Sequence, residues 1–322
     1  MAGYLLRRAL QSVAILFVVA TLTFFLLHAA PGDPLDAMAQ DSRLTLEQRA
    51  ALRERYGLND PLPVQYGRHL LLLTRGDLGY SIPLQRPVSA ILADAMPHTM
   101  LLMGVTLALS FAAGIGLGAL QGARADSRFD RITSRVTTTL ATLPEFWLAT
   151  GMMLLFAHRL HWFPVAGMVD PVMHPLMSLP GRFLDVVRHL VLPVSSLLLI
   201  VASIVARYQR SALLDTWNED YLRTARAAGV PWGRRLFRHA LRNALLPIVT
   251  LFGLALPSLV GGALFIESVF AWPGVGRLAA DAVLLRDFPL VLGVVMAASV
   301  LVAVGGLLAD VMHAVIDPRV RA

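Results

Sequence analysis

The chain alternates long apolar runs with shorter polar ones. Six runs approach the roughly 20 residues a helix needs to cross the hydrocarbon layer: Ala9–Leu27, Pro97–Leu120, Ile132–Phe156, His189–Ala206, Ala244–Ile266 and Phe288–Val311. The pattern predicts an all-α polytopic membrane protein with six transmembrane helices. The fourth run is short and contains Pro193, so its ends are the least defined. The first has a signal-peptide look, since Arg7 and Arg8 precede it and His28-Ala29-Ala30 closes it. Its apolar part exceeds the roughly 7–15 residues usual in such peptides, and a retained helix is expected.

The polar intervals carry their own pattern. Thr45-Leu46-Glu47-Gln48 is a capping box that opens a short helix, ended by Gly57 and Asn59-Asp60-Pro61. A second amphipathic piece, about Val64–Thr74, stops at Arg75-Gly76-Asp77, and its leucine run suits the outer membrane surface. One domain covers 1–322: a first helix over 1–30, an external segment over 31–95 with short helices, and a five-helix core over 96–312. Within that core, 207–243 reads as a cytoplasmic coupling loop.

Composition sharpens this picture. The chain is 56% hydrophobic and 15% charged, against about 25% charged in soluble domains. All 28 basic residues are arginine, and cysteine is absent. Without lysine there is no phosphate-binding Gly-Lys-Ser/Thr loop and no Schiff base; without cysteine there are no disulfides, thiolates or Cys-type metal sites. The chain is therefore read as a non-enzyme that cannot hydrolyse ATP by the P-loop route.

Arginine placement gives an orientation. With the N-terminus inside, the inner segments 1–8, 121–135, 207–243 and the tail after 311 hold 16 Arg against six acids, while the outer segments hold 12 Arg against thirteen acids. Both termini are then cytoplasmic. The basic balance reports topology; no aromatic-interleaved basic patch points to nucleic acid.

The richest polar interval lies between the fourth and fifth runs. Thr216-Trp217-Asn218-Glu219 offers caps for a helix whose first turn holds Glu219 and Asp220 and whose last turn holds Arg223 and Arg226. Gly229 marks its stop and Pro231 prevents continuation. A second helix carries Arg234, Arg235, Arg238 and Arg242, which serve topology and anionic lipid. The first, with small Ala225, Ala227 and Ala228, reads as a docking helix for a cytoplasmic partner.

Three other places hold candidate chemistry. Glu145, between Pro144 and Phe146-Trp147, is an ionisable group in the third run, where insertion costs about 2.5–3.5 kcal/mol. It either lines a translocation path, meeting a cargo amino group, or satisfies backbone groups freed by Pro144. Trp272, Pro273 and Gly274 form a turn after the fifth run, either an interfacial anchor or an outer gate. His158 and His161 lack an acid at helical spacing, so no metal is assigned. No nucleophile–base set supports a membrane enzyme. A secondary transporter independent of an ATPase remains the competing class, but it has no need of a docking helix.

Residues 220–247, DYLRTARAAGVPWGRRLFRHALRNALLP, resemble the cytoplasmic loop of permease subunits of bacterial ABC importers, in the oligopeptide/dipeptide/nickel branch. Further markers are PGDP (31–34), YGLNDPLPVQY (56–66), RGDLGYS (75–81), RPV (86–88), PEFWLA (144–149), FAWPGVGR (270–277) and DPRVR (317–321). The broader importer loop is written Glu-Ala-Ala-x3-Gly; here Ala225 and Gly229 stand for it, led by Arg223 and Thr224. The resemblance implies a type I importer fold in the bacterial inner membrane, paired with a second related permease and two ATPase subunits. ATP and Mg belong to those ATPase chains, and an extracytoplasmic binding protein delivers the solute. It places the ATPase-docking face on Asp220, Tyr221, Thr224, Ala225 and Gly229. Trp147 is assigned with Glu145 to the translocation path, and the resemblance lets the turn at 272–274 meet the binding protein. Peptides are the implied cargo; nickel, glutathione or another small solute is the alternative within the branch.

Overall fold

A computed structural model describes residues 2–29, 54, 59–81, 83–256 and 263–316. The capping box at 45–48, Gly57, the motif at 31–34 and the tail motif at 317–321 lie outside the described residues. The architecture is helical: four helices are long and apolar enough to cross a membrane, and a bent pair makes a fifth candidate.

Helix α1 spans Ala2–Ala29. Across its far end lies α2, Leu62–Thr74, where Tyr66 Oη and Thr21 Oγ1 are 2.7 Å apart and the Phe24, Phe25, Tyr66 and His69 rings cluster. A two-stranded antiparallel ribbon, β1 (Tyr80–Ser81) with β2 (Arg86–Pro87), leads into α3, Val88–Ala123. Pro87, with φ fixed by its ring, is a natural helix entry. The helix therefore begins nine residues before the apolar run at Pro97.

The third apolar run is not one straight rod. Helix α4, Arg128–Thr142, is capped by Ser127, whose Oγ accepts from the Asp130 N–H at 3.1 Å. It breaks at Leu143-Pro144, and α5, Glu145–Met152, leaves at 103° before widening into a π-helical stretch, Met153–Arg159. Leu143 is extended, as the residue before a proline must be, which corrects the expectation of an uninterrupted span.

Helix α6, Leu179–Trp217, has 39 residues and is roughly 58 Å long at ~1.5 Å per residue. It overruns the predicted span at both ends and absorbs Pro193 without breaking. Helices α3 and α6 run parallel and nearly touch. A Cβ on Gly114 would lie 2.6 Å from Val205 Cβ, one on Gly118 2.7 Å from Gln209 Cβ, and one on Gly122 2.9 Å from Leu213 Cδ2. Small residues every four positions let two backbones approach this closely, the usual device where lipid gives no hydrophobic drive for helix pairing.

After α6 come α7, Asp220–Ala227, and an irregular helix α8 over 232–244 with a π segment at Arg235–Ala240. The fifth run appears in two parts, α9 (Leu246–Ala255) and α10 (Leu264–Val269), on either side of residues outside the description. The amphipathic α11, Val275–Leu284, precedes α12, Phe288–Ile316. Asp287 caps α12: its Oδ1 accepts from Leu290 N–H at 3.2 Å and its Oδ2 from the Ser81 hydroxyl. The main core joins α3, α5, α6 and α10 around Leu102, Leu192, Ile266, Phe270 and Trp272.

Candidate functional site

At the end of the molecule where α3 and α6 finish, α7 projects as a short, sharply bounded rod. Its start differs from the predicted one. Thr216 still belongs to α6, its hydroxyl bonded to Ala212 O at 2.7 Å, and only Asn218 and Glu219 separate the helices. Its stop is as read: Gly229 has φ +73, its N–H bonds to Arg226 O at 3.1 Å and Val230 N–H to Ala225 O at 3.0 Å. This pair of bonds around a left-handed residue is the Schellman ending, which glycine adopts without strain.

One side chain plants the rod. Leu222 is 2% exposed and packs with Leu213, Leu236, Ala240 and Ala244, a burial that contributes about 2 kcal/mol. A second tie is Asn243 Nδ2 donating to Tyr221 Oη at 2.7 Å. Of the five predicted docking residues, Asp220, Tyr221, Thr224 and Gly229 are exposed and Ala225 is half-buried. Leu222 and Asn243 were not singled out in the sequence. The signal for Leu222 was its place as the only large aliphatic residue between Tyr221 and Val230.

The break in the third run sets Glu145 at the first turn of α5, where the helix dipole favours an acid. No hydrogen bond or ion pair joins its carboxylate to a described residue. Trp147 is 60% exposed, and the Phe146 ring meets Phe265 at 6.0 Å.

At the opposite end the turn at 271–277 wraps round a buried carboxylate. Glu267 is 0% exposed. Its Oε1 accepts from the Thr99 hydroxyl at 2.9 Å and its Oε2 from Arg277 N–H at 3.0 Å. Thr99 Oγ1 in turn accepts from Val275 N–H at 2.8 Å. Trp272 is also wholly buried, its Nε1–H bonded to His98 O at 3.0 Å. It is therefore not a lipid-facing anchor, and of Trp272, Pro273 and Gly274 only Pro273 is exposed. Gly274 has no room for a side chain, because a Cβ there would run into Glu267 Oε2 and Thr99 Oγ1. Sequence reasoning counted Glu267 merely among the outer acids; the available signal was an acid adjoining an apolar run, with two glycines close behind it.

Near this end Asp185 accepts from Asp170 N–H at 3.0 Å and lies 2.7 Å from His174 Nδ1. The Met173 and Val172 N–H groups hold the Asp170 carboxyl below the ordinary carboxylate range. Among the described residues no group of three His, Cys, Asp or Glu could hold a metal. His161 instead bonds Ala157 O at 3.1 Å.

Four helices long and apolar enough to cross a membrane, with a capped rod at one end, define a membrane protein. The comparisons make the class specific. The family described as binding-protein-dependent transport system inner membrane component matches residues 114–322, and its N-terminal companion matches residues 1–103. The chain belongs to this family, and it is a multi-pass inner-membrane component. It is 38% identical to the oligopeptide transport system permease protein AppB of Bacillus subtilis, over all of both chains. It is 39% identical to a putative peptide permease protein of Brucella suis over 100% of this chain and 99% of that one. The Di/tripeptide transport system permease protein DppB of Pseudomonas aeruginosa is 34% identical, with the same coverage. Among solved structures, a chain of the inward-facing MetNI methionine ABC transporter aligns with a TM-score of 0.53 and 18% identity, over 70% of this chain and 96% of that one. That likeness speaks to the fold alone.

Proposed function

We propose that the chain is the permease subunit of an ATP-driven, binding-protein-dependent importer of di- and oligopeptides. Six helices cross the membrane, both termini and α7 face the cytoplasm, and a second related permease supplies the other half of the path. Two ATPase subunits hold ATP and Mg, and a solute-binding protein delivers cargo on the outer side. The observation that carries this reading is α7: eight residues, stopped by a Schellman turn and planted through Leu222 against α6. A rod held at its root and exposed at its face transmits a push instead of folding under it. Closure of the ATPase pair on ATP then moves α6 and α3 together, a two-state displacement of the kind that drives such machines.

Glu145 and Trp147 stand at the break between α4 and α5. Broken helices whose free N-termini meet solute are a recurring transporter device; the acid here suits the amino terminus of a peptide. The turn at 272–274 is the outer gate, its buried Trp272 and Gly274 holding the form and Pro273 presenting it to the binding protein. The full-length peptide-permease relatives support the cargo class.

The test is uptake of a radiolabelled tripeptide by proteoliposomes holding both permeases and ATPases, with the binding protein added. ATP-dependent uptake is expected. Gly229→Val, which forces a branched side chain into φ +73, is expected to abolish it while both permeases still assemble in the membrane. Uptake that follows a proton gradient without ATP, or normal uptake by Gly229→Val, overturns the reading.

A further inference from the structure

Helix α4 sorts its charges by side. Its acid, Asp130, is 1% exposed and faces α6, where its two oxygens accept from the Arg210 guanidinium at 2.7 and 2.8 Å. Its three arginines, Arg128, Arg131 and Arg135, all face outward, and none forms an ion pair with a described residue. At about 100° per residue they share a sector roughly 60° wide. Next to them round the helix stand Ile132 and Val136, 62% and 51% exposed. The helix is bent 103° from α5, and its first turns, with Asp130 on Arg210, stand beside α6 near the α7 end.

An exposed apolar pair flanked by arginines near the α7 end fits the headgroup region of an anionic bilayer. The aliphatic pair enters the acyl boundary, and guanidinium forks match phosphate oxygens two at a time. We propose that α4 is a binding surface for anionic phospholipid, with Arg128, Arg131 and Arg135 on the headgroup phosphates and Ile132 and Val136 among the chains. The leaflet rests on the orientation proposed above: α4 starts beside Arg210, at the α7 end, and so meets the inner one. The contact also reaches the drive train. Through the Asp130–Arg210 pair it bears on α6, whose end carries α7.

The chain has no cysteine, so Val136→Cys gives this subunit a single labelling site in the assembled transporter once partner cysteines are replaced. A nitrobenzoxadiazole probe there is read in nanodiscs containing brominated phosphatidylglycerol or brominated phosphatidylcholine at equal mole fraction. Both lipids are expected to quench, phosphatidylglycerol more strongly. Arg128→Gln, Arg131→Gln and Arg135→Gln together should erase the preference, each arginine accounting for about a fivefold enrichment, while the three Lys replacements retain part of it. Equal quenching by the two lipids overturns the headgroup site. Quenching by neither overturns the lipid surface altogether and makes the face a protein interface. The readout needs no turnover: a transporter that shows the lipid preference but imports no peptide counts against the importer reading alone.

Discussion

The two ends of the molecule are fixed by opposite means. At the α7 end a short helix is bounded by local rules, a left-handed glycine and a proline two residues on, and anchored by one aliphatic side chain. At the other end a loop of similar length is held from within, because Glu267 gathers donors from Thr99 and Arg277 and leaves no space at Gly274. The first arrangement exposes its working face and spends little stability on it. The second buries a carboxyl group, which persists because its oxygens are met by donors. Under the proposed function the contrast is that of a handle and a latch: one is gripped by another chain, the other keeps its shape unaided.

The largest effect is expected where the buried carboxyl is removed. Glu267→Ala leaves the Thr99 O–H and the Arg277 N–H without acceptors, at a cost of about 3 kcal/mol. Thermal unfolding in detergent should show a drop of several degrees in Tm; a variant melting with the parent would mean that the turn is not held by its carboxylate.

Leu222→Ala sharpens the other side. It removes about 2 kcal/mol of packing, but from a peripheral cluster, so Tm should change less than for Glu267→Ala. ATP-driven uptake should nonetheless fall at least tenfold, and normal uptake would show that α7 needs no root in the bundle. Tyr221→Phe, which loses the Asn243 bond, is worth about 1 kcal/mol and should lower uptake only a few-fold.

The smallest expected effect lies at the cap of α12. Burial pushes the Asp287 carboxyl above its ordinary range, against the opposing bonds from Ser81 and Leu290. A raised carboxyl binds its proton more tightly folded than unfolded, so this group's contribution is greatest at acid pH and is lost as pH rises through the raised value. Asp287→Asn keeps a capping oxygen and removes the charge. Its Tm should be flatter than the parent's from about pH 4 upward, and an unchanged slope would assign the titration elsewhere.

What could be read in the sequence follows the same division. The apolar runs located α1, α3, α6 and α12, because the lipid criterion is one of length and composition alone. Gly229 and Pro231 fixed the end of α7, since capping is a matter of neighbours. The start of α7 was misplaced because Thr216 spends its hydroxyl inside α6, a choice set by how far that helix packs. The bend at Pro144 escaped notice because an apolar count does not register direction. The latch was the least visible part: Glu267 meets Thr99 across 168 positions, and no local pattern announces such a meeting. Trp272, interfacial by type, became a core residue for the same reason.

The glycine seam between α3 and α6 has a mechanical corollary. Two helices whose backbones mesh at Gly114, Gly118 and Gly122 have no side-chain cushion to shear, and sliding one past the other would demand a jump of a whole helical turn. They form a single strut. Any alternation of the passage between its two openings must then be taken up at joints with bulkier packing, such as the contact of Phe146 with Phe265, while the strut swings as one piece.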